Sequence, residues 1–215
     1  MKDDNKQKGM DKMPKDWQAI DVSDLFFIET GTTPSTKEKK YWNNGNIIWI
    51  TPADLSLLNN TIFIKDSKRK TTKKGLEETN LTLLPKGAII ISTRAPVGYV
   101  AIIEYPATFN QGCKGLIPKE IKNISIKFYY YYLLNKRYKL QNLSAGSTFS
   151  ELSKSLLESF KIPYFNIKEQ QKIAEILSTV DKKIELQRKR KEKLERIKKS
   201  LMNDLLSGKK RVRIG

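Results

Sequence analysis

Apolar residues follow two rhythms along this chain. Between residues 47 and 103 they cluster into short runs rich in Ile, Val and aromatics and bounded by Gly, Pro or Asn: IIWIT (47–51), TIFI (61–64), AIIIST (88–93) and VGYVAII (97–103), which predict strands. Only Arg94-Ala95-Pro96 separates the last two, so a hairpin or sharp bend presenting Arg94 is expected. Beyond Pro118 the period lengthens. Ser125 can cap a helix over 126–141 (IKFYYYYLLNKRYKLQ), whose tyrosines are expected to serve core packing more than base stacking, and a shorter helix is expected near 153–160. Asn166 followed by Glu169 forms a capping-box arrangement ahead of a long apolar repeat, and Gly208 is placed to stop it. A helix over about 167–207 would measure about 60 Å at about 1.5 Å per residue, more than one small domain needs.

That helix carries a narrow seam. Steps of three and four residues pick out Ile173, Leu177, Val180, Ile184, Gln187, Lys191, Leu194, Ile197, Leu201 and Leu205, two per heptad as in a coiled coil. Packing back onto its own globular domain is the alternative, but an ordinary surface helix carries a wider apolar face. The seam is apolar at both ends and polar at its centre, in QRKRK (187–191). An antiparallel pairing about a two-fold near residue 189 reconciles these features. Ile184 then faces Leu194, Val180 faces Ile197 or its neighbour, Leu177 faces Leu201, Ile173 faces Leu205, and the polar pair Gln187 and Lys191 meets only itself. A parallel pair would stack Lys191 on Lys191.

Composition narrows the chemistry. With 41 Lys+Arg against 23 Asp+Glu the net charge is +18, so a polyanionic partner is expected. Aromatics at 9% and apolar residues at 39% argue for a folded chain. Histidine is absent, and Cys113 is the single cysteine, expected as a small buried residue. The usual neutral base, the His-dependent triads and a tetrahedral Cys/His zinc site are thereby excluded. No apolar run is long enough to span a bilayer and the N-terminus lacks a signal-peptide core, so a reducing, cytoplasmic setting is expected.

At WQAIDVSDLFFIETGTTPSTKEKKYWNNGNIIWITPADL (17–55), LPKGAIIISTRAPVGYVAI (84–102), NQGCKGLIP (110–118) and the run from AGSTFSELSK to the end of the long helix, the chain resembles the specificity subunits of type I restriction-modification systems. These motifs cover nearly everything after residue 16. The resemblance implies a mixed α+β target-recognition domain followed by a coiled-coil helix. The organisation expected is a polar tail (1–15), a mixed α/β target-recognition domain (16–160), a long dimerisation and spacer helix (161–207) and a basic tail (208–215). Full-length members carry two such domains with two antiparallel helices, so this chain looks like a half-length form with one of each. It implies a non-catalytic, sequence-specific DNA-binding subunit that dimerises with itself or with another half-subunit, reads a bipartite site, and positions methyltransferase and sometimes restriction subunits. No cofactor is then expected in this chain, with S-adenosylmethionine belonging to the partner that methylates adenine. A basic coiled-coil scaffold serving RNA or another acidic assembly stays open, and a standalone nuclease finds little support in the absence of a convincing carboxylate-lysine site.

The candidate DNA contacts are Ser35, Lys37, Lys68, Arg69, Lys70, Arg94 and Lys114. Lysines at 68 and 70 suit phosphates, while an arginine reaching a guanine edge would add specificity; a solvated basic loop is the alternative. Ser35 and Lys37 follow a turn at Gly31–Pro34, and turn formation competes with base contact there. Arg94 suits projection from a rigid hairpin or, equally, an ion pair. Lys114 lies in Asn110–Gly115, a segment whose amides, Asn110 and Gln111, could pair with adenine but which fits a structural turn more than a reading loop.

Overall fold

The computed structural model describes residues 13–58, 61–145, 151–213 and 215. The chain divides into two compact units, Met1–Ala174 and Glu175–Gly215. The first unit opens with β1 (Gln18–Asp21), a single turn of helix α1 (Val22–Leu25) and β2 (Phe26–Thr30). A short 3-10 turn at Lys39–Tyr41 leads to β3 (Ile47–Ile50), α2 (Pro52–Ser56), β4 (Phe63–Ile64), β5 (Arg69–Thr71) and α3 (Lys73–Glu78). There follow β6 (Ile89–Ser92), β7 (Val100–Ile103), β8 (Thr108–Phe109) and β9 (Cys113–Pro118). Helices α4 (Ile126–Asn135), α5 (Arg137–Ala145) and α6 (Lys154–Glu158), strand β10 (Lys161–Tyr164) and helix α7 (Ile167–Leu206) complete the order.

Five strands form one sheet in the order β2-β9-β6-β7-β4, antiparallel except where β4 runs parallel to β7. Its centre explains the unbroken apolar runs of the sequence. On β6, Ile89 and Ile91 enter one core while Ile90 enters a second; on β7, Val100 and Ile102 take the first and Ala101 and Ile103 the second. A strand covered on both faces needs no polar alternation. The first core is closed by Phe128, Tyr129, Tyr130 and Leu133 of α4, and the buried Tyr129 hydroxyl donates to the Pro163 carbonyl at 3.0 Å. The second core holds Ile50, Leu55, Leu84, Phe109 and Cys113. A three-stranded sheet, β5-β3-β8, adjoins it, with β3 antiparallel to β5 and parallel to β8.

The helix expected over 126–141 is two helices. Ser125 caps α4 as expected, its hydroxyl accepting from the Phe128 N–H, but the chain turns at Lys136, whose N–H reaches back to the Tyr132 and Leu133 carbonyls. Strand β10 pairs antiparallel with β1, Ile20 opposite Ile162, so the residues leading into the long helix belong to the globular unit's framework. Helix α7 starts from Asn166, whose side chain accepts the Lys168 N–H at 2.9 Å and whose carbonyl accepts the Gln170 N–H. Gln170 is fully buried; its amide oxygen accepts the Ser125 N–H and its amide nitrogen donates to the Phe165 carbonyl, tying the root of α7 to the start of α4. Ala174 is buried and Ile173 packs against the first core. At the other end Gly208 adopts φ +73°, the left-handed stop.

Candidate nucleic-acid interface

Three loops meet at the sheet ends. Gly31 follows β2, and a Cβ built there would collide with the Phe109 and Asn110 carbonyl oxygens, so only glycine lets these segments touch. The Thr32 N–H donates to the Phe109 carbonyl, and the Thr33 hydroxyl donates to the Gln111 side chain. Gly112 continues the contact, its carbonyl accepting the N–H groups of Thr93 and Arg94. The loops carrying Ser35, Arg94 and Gln111 are therefore braced against one another, though they are far apart in sequence.

The basic candidates fall into two groups. Ser35 and the segment Lys68, Arg69 and Lys70 lie at two tryptophans, with Arg69 and the Ser35 carbonyl touching them, and Lys37 lies exposed two residues beyond Ser35. Trp42 and Trp49 meet edge to face at 5.0 Å, and each is pinned by its indole N–H, Trp42 to the Ser35 carbonyl at 3.0 Å and Trp49 to the Thr32 carbonyl at 3.1 Å. The Arg69 guanidinium lies 3.8 Å from the Trp42 ring centroid and 4.9 Å from that of Trp49. Its backbone is equally constrained, because Arg69 pairs across the β3–β5 ladder with Trp49. The Ser67 hydroxyl accepts the Trp49 N–H and donates to the Arg69 carbonyl at 2.6 Å, and the Lys68 N–H donates to Asp54 at 2.8 Å. Asp54 also accepts the N–H and hydroxyl of Thr51, which caps α2, so one carboxylate fixes both that helix start and the basic segment. Lys70 pairs with Asp66 at 3.1 Å; the Ser67 N–H and then the Lys70 ammonium hold that carboxyl below its ordinary range. Ser35, Lys37, Lys68 and Arg69 are exposed.

Arg94 and Lys114 form the second group, around Glu151. The Arg94 Nε donates to one carboxylate oxygen at 2.8 Å and the Lys114 ammonium approaches the other at 3.4 Å. Lys114 is only 3% exposed and offers almost no charge to solvent. Sequence reasoning missed Trp42, Asp54 and Glu151, while Gln111 lies in the amide-bearing segment it singled out. Of the three missed residues only Trp42 left a signal, as an aromatic amid lysines in KEKKYW; Glu151 lies 57 and 37 residues from its two partners.

On α7 the seam is open. Leu177, Val180, Ile184, Leu194, Ile197, Leu201 and Leu205 are between 39% and 56% exposed, and Gln187 and Lys191 are exposed between them. Ile173 differs, because it is packed against the first core. Among the described residues no group of His, Cys, Asp or Glu is arranged to hold a metal, and no helix is long and apolar enough to cross a membrane.

A two-core α+β unit presenting a braced basic loop cluster, continued by a long helix with an open apolar seam, defines a recognition-and-assembly class of protein. A family model described as the type I restriction modification DNA specificity domain matches residues 14–196. The chain is 43% identical over 194 residues to the type I restriction enzyme MjaIX specificity subunit of Methanocaldococcus jannaschii, covering 89% of this chain and 44% of that protein. It is 36% identical over 159 residues to the EcoR124I/EcoR124II specificity subunit of Escherichia coli, covering 70% of this chain and 37% of that protein. A solved HsdS subunit from Thermoanaerobacter tengcongensis superposes with a TM-score of 0.63 at 16% identity, over 92% of this chain and 46% of that one, which supports the fold. The chain belongs to the type I restriction-modification specificity-subunit family. It spans less than half the length of these relatives. Specificity subunits are the non-catalytic DNA-recognition components of type I systems.

Proposed function

We propose that the globular unit reads a base sequence in duplex DNA, while α7 pairs antiparallel with a second copy of this chain or with another specificity chain. Two reading units are thereby brought to the two halves of a bipartite site. The assembly then positions adenine methyltransferase subunits, which supply S-adenosylmethionine and the chemistry, and in a restricting complex the restriction subunits as well. DNA reading is supported by the match to a DNA specificity domain and by the net charge of +18. The observation that carries the pairing is the open seam of α7, apolar at both ends and polar at Gln187 and Lys191. An exposed two-per-heptad stripe is stabilised in water when covered, and the antiparallel register covers the apolar layers on either side of the polar one at the crossing. Because Ile173 already packs on the globular core, pairing starts from the layer of Leu177 with Leu201.

Two measurements test this reading. Purified with its cognate methyltransferase subunit, the chain should direct adenine methylation to one bipartite motif across genomic DNA; a methylation pattern independent of the chain sinks the proposal. Spin labels at positions 177 and 201 should lie close across chains, whereas close approach of 177 to 177 overturns the antiparallel register.

A further inference from the structure

Of the basic side chains in the two clusters, Arg69 stands in a distinct environment. Arg94 and Lys114 face Glu151, and Lys70 faces Asp66. Arg69 faces aromatic rings, and among the described residues its guanidinium has no carboxylate or carbonyl partner. A ring face attracts the cation but accepts none of its in-plane N–H donors, so stacking fixes the plane of the guanidinium and leaves its edge unsatisfied. The support beneath is rigid, because Trp42 and Trp49 are tethered through their indoles and the Arg69 carbonyl is tied through Ser67.

We infer that Arg69 is a specificity-determining residue that donates its planar pair of N–H groups to the O6 and N7 atoms of one guanine in the major groove. This deepens the DNA-reading proposal above and rests on it. A phosphate contact needs only a point charge, which the exposed lysines 37 and 68 already offer, whereas an exposed guanidinium stacked over a tryptophan with its donors unpaired suits a bidentate acceptor pair. The tryptophans act as positioning residues, because they set the plane in which those donors lie.

The chain is expressed with its cognate methyltransferase subunit, and methylated adenines are mapped for the wild type, Arg69→Ala and Arg69→Lys. The wild type should yield a motif containing a fixed G·C pair that becomes degenerate in Arg69→Ala, with discrimination there falling about tenfold to a hundredfold and the other positions intact. Arg69→Lys should give an intermediate loss. Replacing that guanine by 7-deazaguanine in an oligonucleotide duplex should weaken wild-type binding without need of any variant. A uniform fall in methylation with an unchanged motif assigns Arg69 to a phosphate and overturns the inference, as does a 7-deazaguanine duplex bound as tightly as the natural one. A wild-type chain that confers no motif fails at the earlier step and removes the DNA-reading proposal itself.

Discussion

Arg69 opens strand β5 and Arg94 follows β6, both are exposed and both lie beside other cations, yet their surroundings treat the charge oppositely. Glu151 takes the Arg94 Nε–H and neutralises Lys114 behind it, so two positive charges and one negative are joined into a brace. At Arg69 the neighbours are rings, which orient the guanidinium while leaving its charge and donors facing outward. A count of lysines and arginines therefore says little about where a basic protein meets its polyanion. The nature of the nearest neighbour decides whether a cation serves the fold or the partner.

The comparison can be broken most severely at Glu151. Glu151→Ala leaves the buried Lys114 ammonium without its carboxylate and should cost about 3 kcal/mol in urea unfolding. A double replacement, Glu151→Leu with Lys114→Met, should recover most of that loss; if both variants unfold at wild-type urea concentrations, the brace has no structural value. At the aromatic pole, Trp42→Ala removes an edge-to-face pair and a cation–π contact, for about 1–2 kcal/mol of stability. Arg94→Ala should be milder, below about 1 kcal/mol, since that side chain is half exposed and its pairing is screened. A larger loss at Arg94 than at Trp42 would invert the assignment of the two groups.

The smallest effect concerns the cores beneath both groups. Burial pushes the Cys113 thiol and the Tyr129 phenol up, so the native chain keeps both protons where the unfolded chain releases them. Stability should therefore fall as pH rises, by about 0.4 kcal/mol where an unfolded thiol is half ionised near pH 8.5, and more steeply above about pH 10 as the tyrosine joins. Unfolding titrations that stay level from pH 7 to 10 would contradict this.

Much of the frame was legible because it depends on local periodicity. The strands centred on Ile48, Ile90 and Ala101, the cap at Ser125 and the forty-residue helix between Asn166 and Gly208 follow from residue pattern alone. Strand β5 was not legible, because Arg-Lys-Thr has no apolar alternation and is held extended only by its register against β3. Strand β9 was read as a turn on account of its glycines. Gly115 is there because a Cβ would strike the Leu84 side chain, a constraint of packing from across the core. The candidate site was legible as a list of cations and no further. Which cation meets Glu151 and which meets Trp42 depends on contacts across 57 and 27 residues, and no window of local sequence contains both members.

Gly31 links a loop contact to the two tryptophans. Its missing side chain lets the β2 exit lie directly on the backbone of Phe109 and Asn110, so the join is made largely by main chain, with the Thr33 hydroxyl adding one side-chain bond to Gln111. Any larger residue at 31 would push the loops apart, and with them the Thr32 and Ser35 carbonyls that hold the Trp49 and Trp42 indoles. A single side chain at position 31 would thus be felt at both indoles at once.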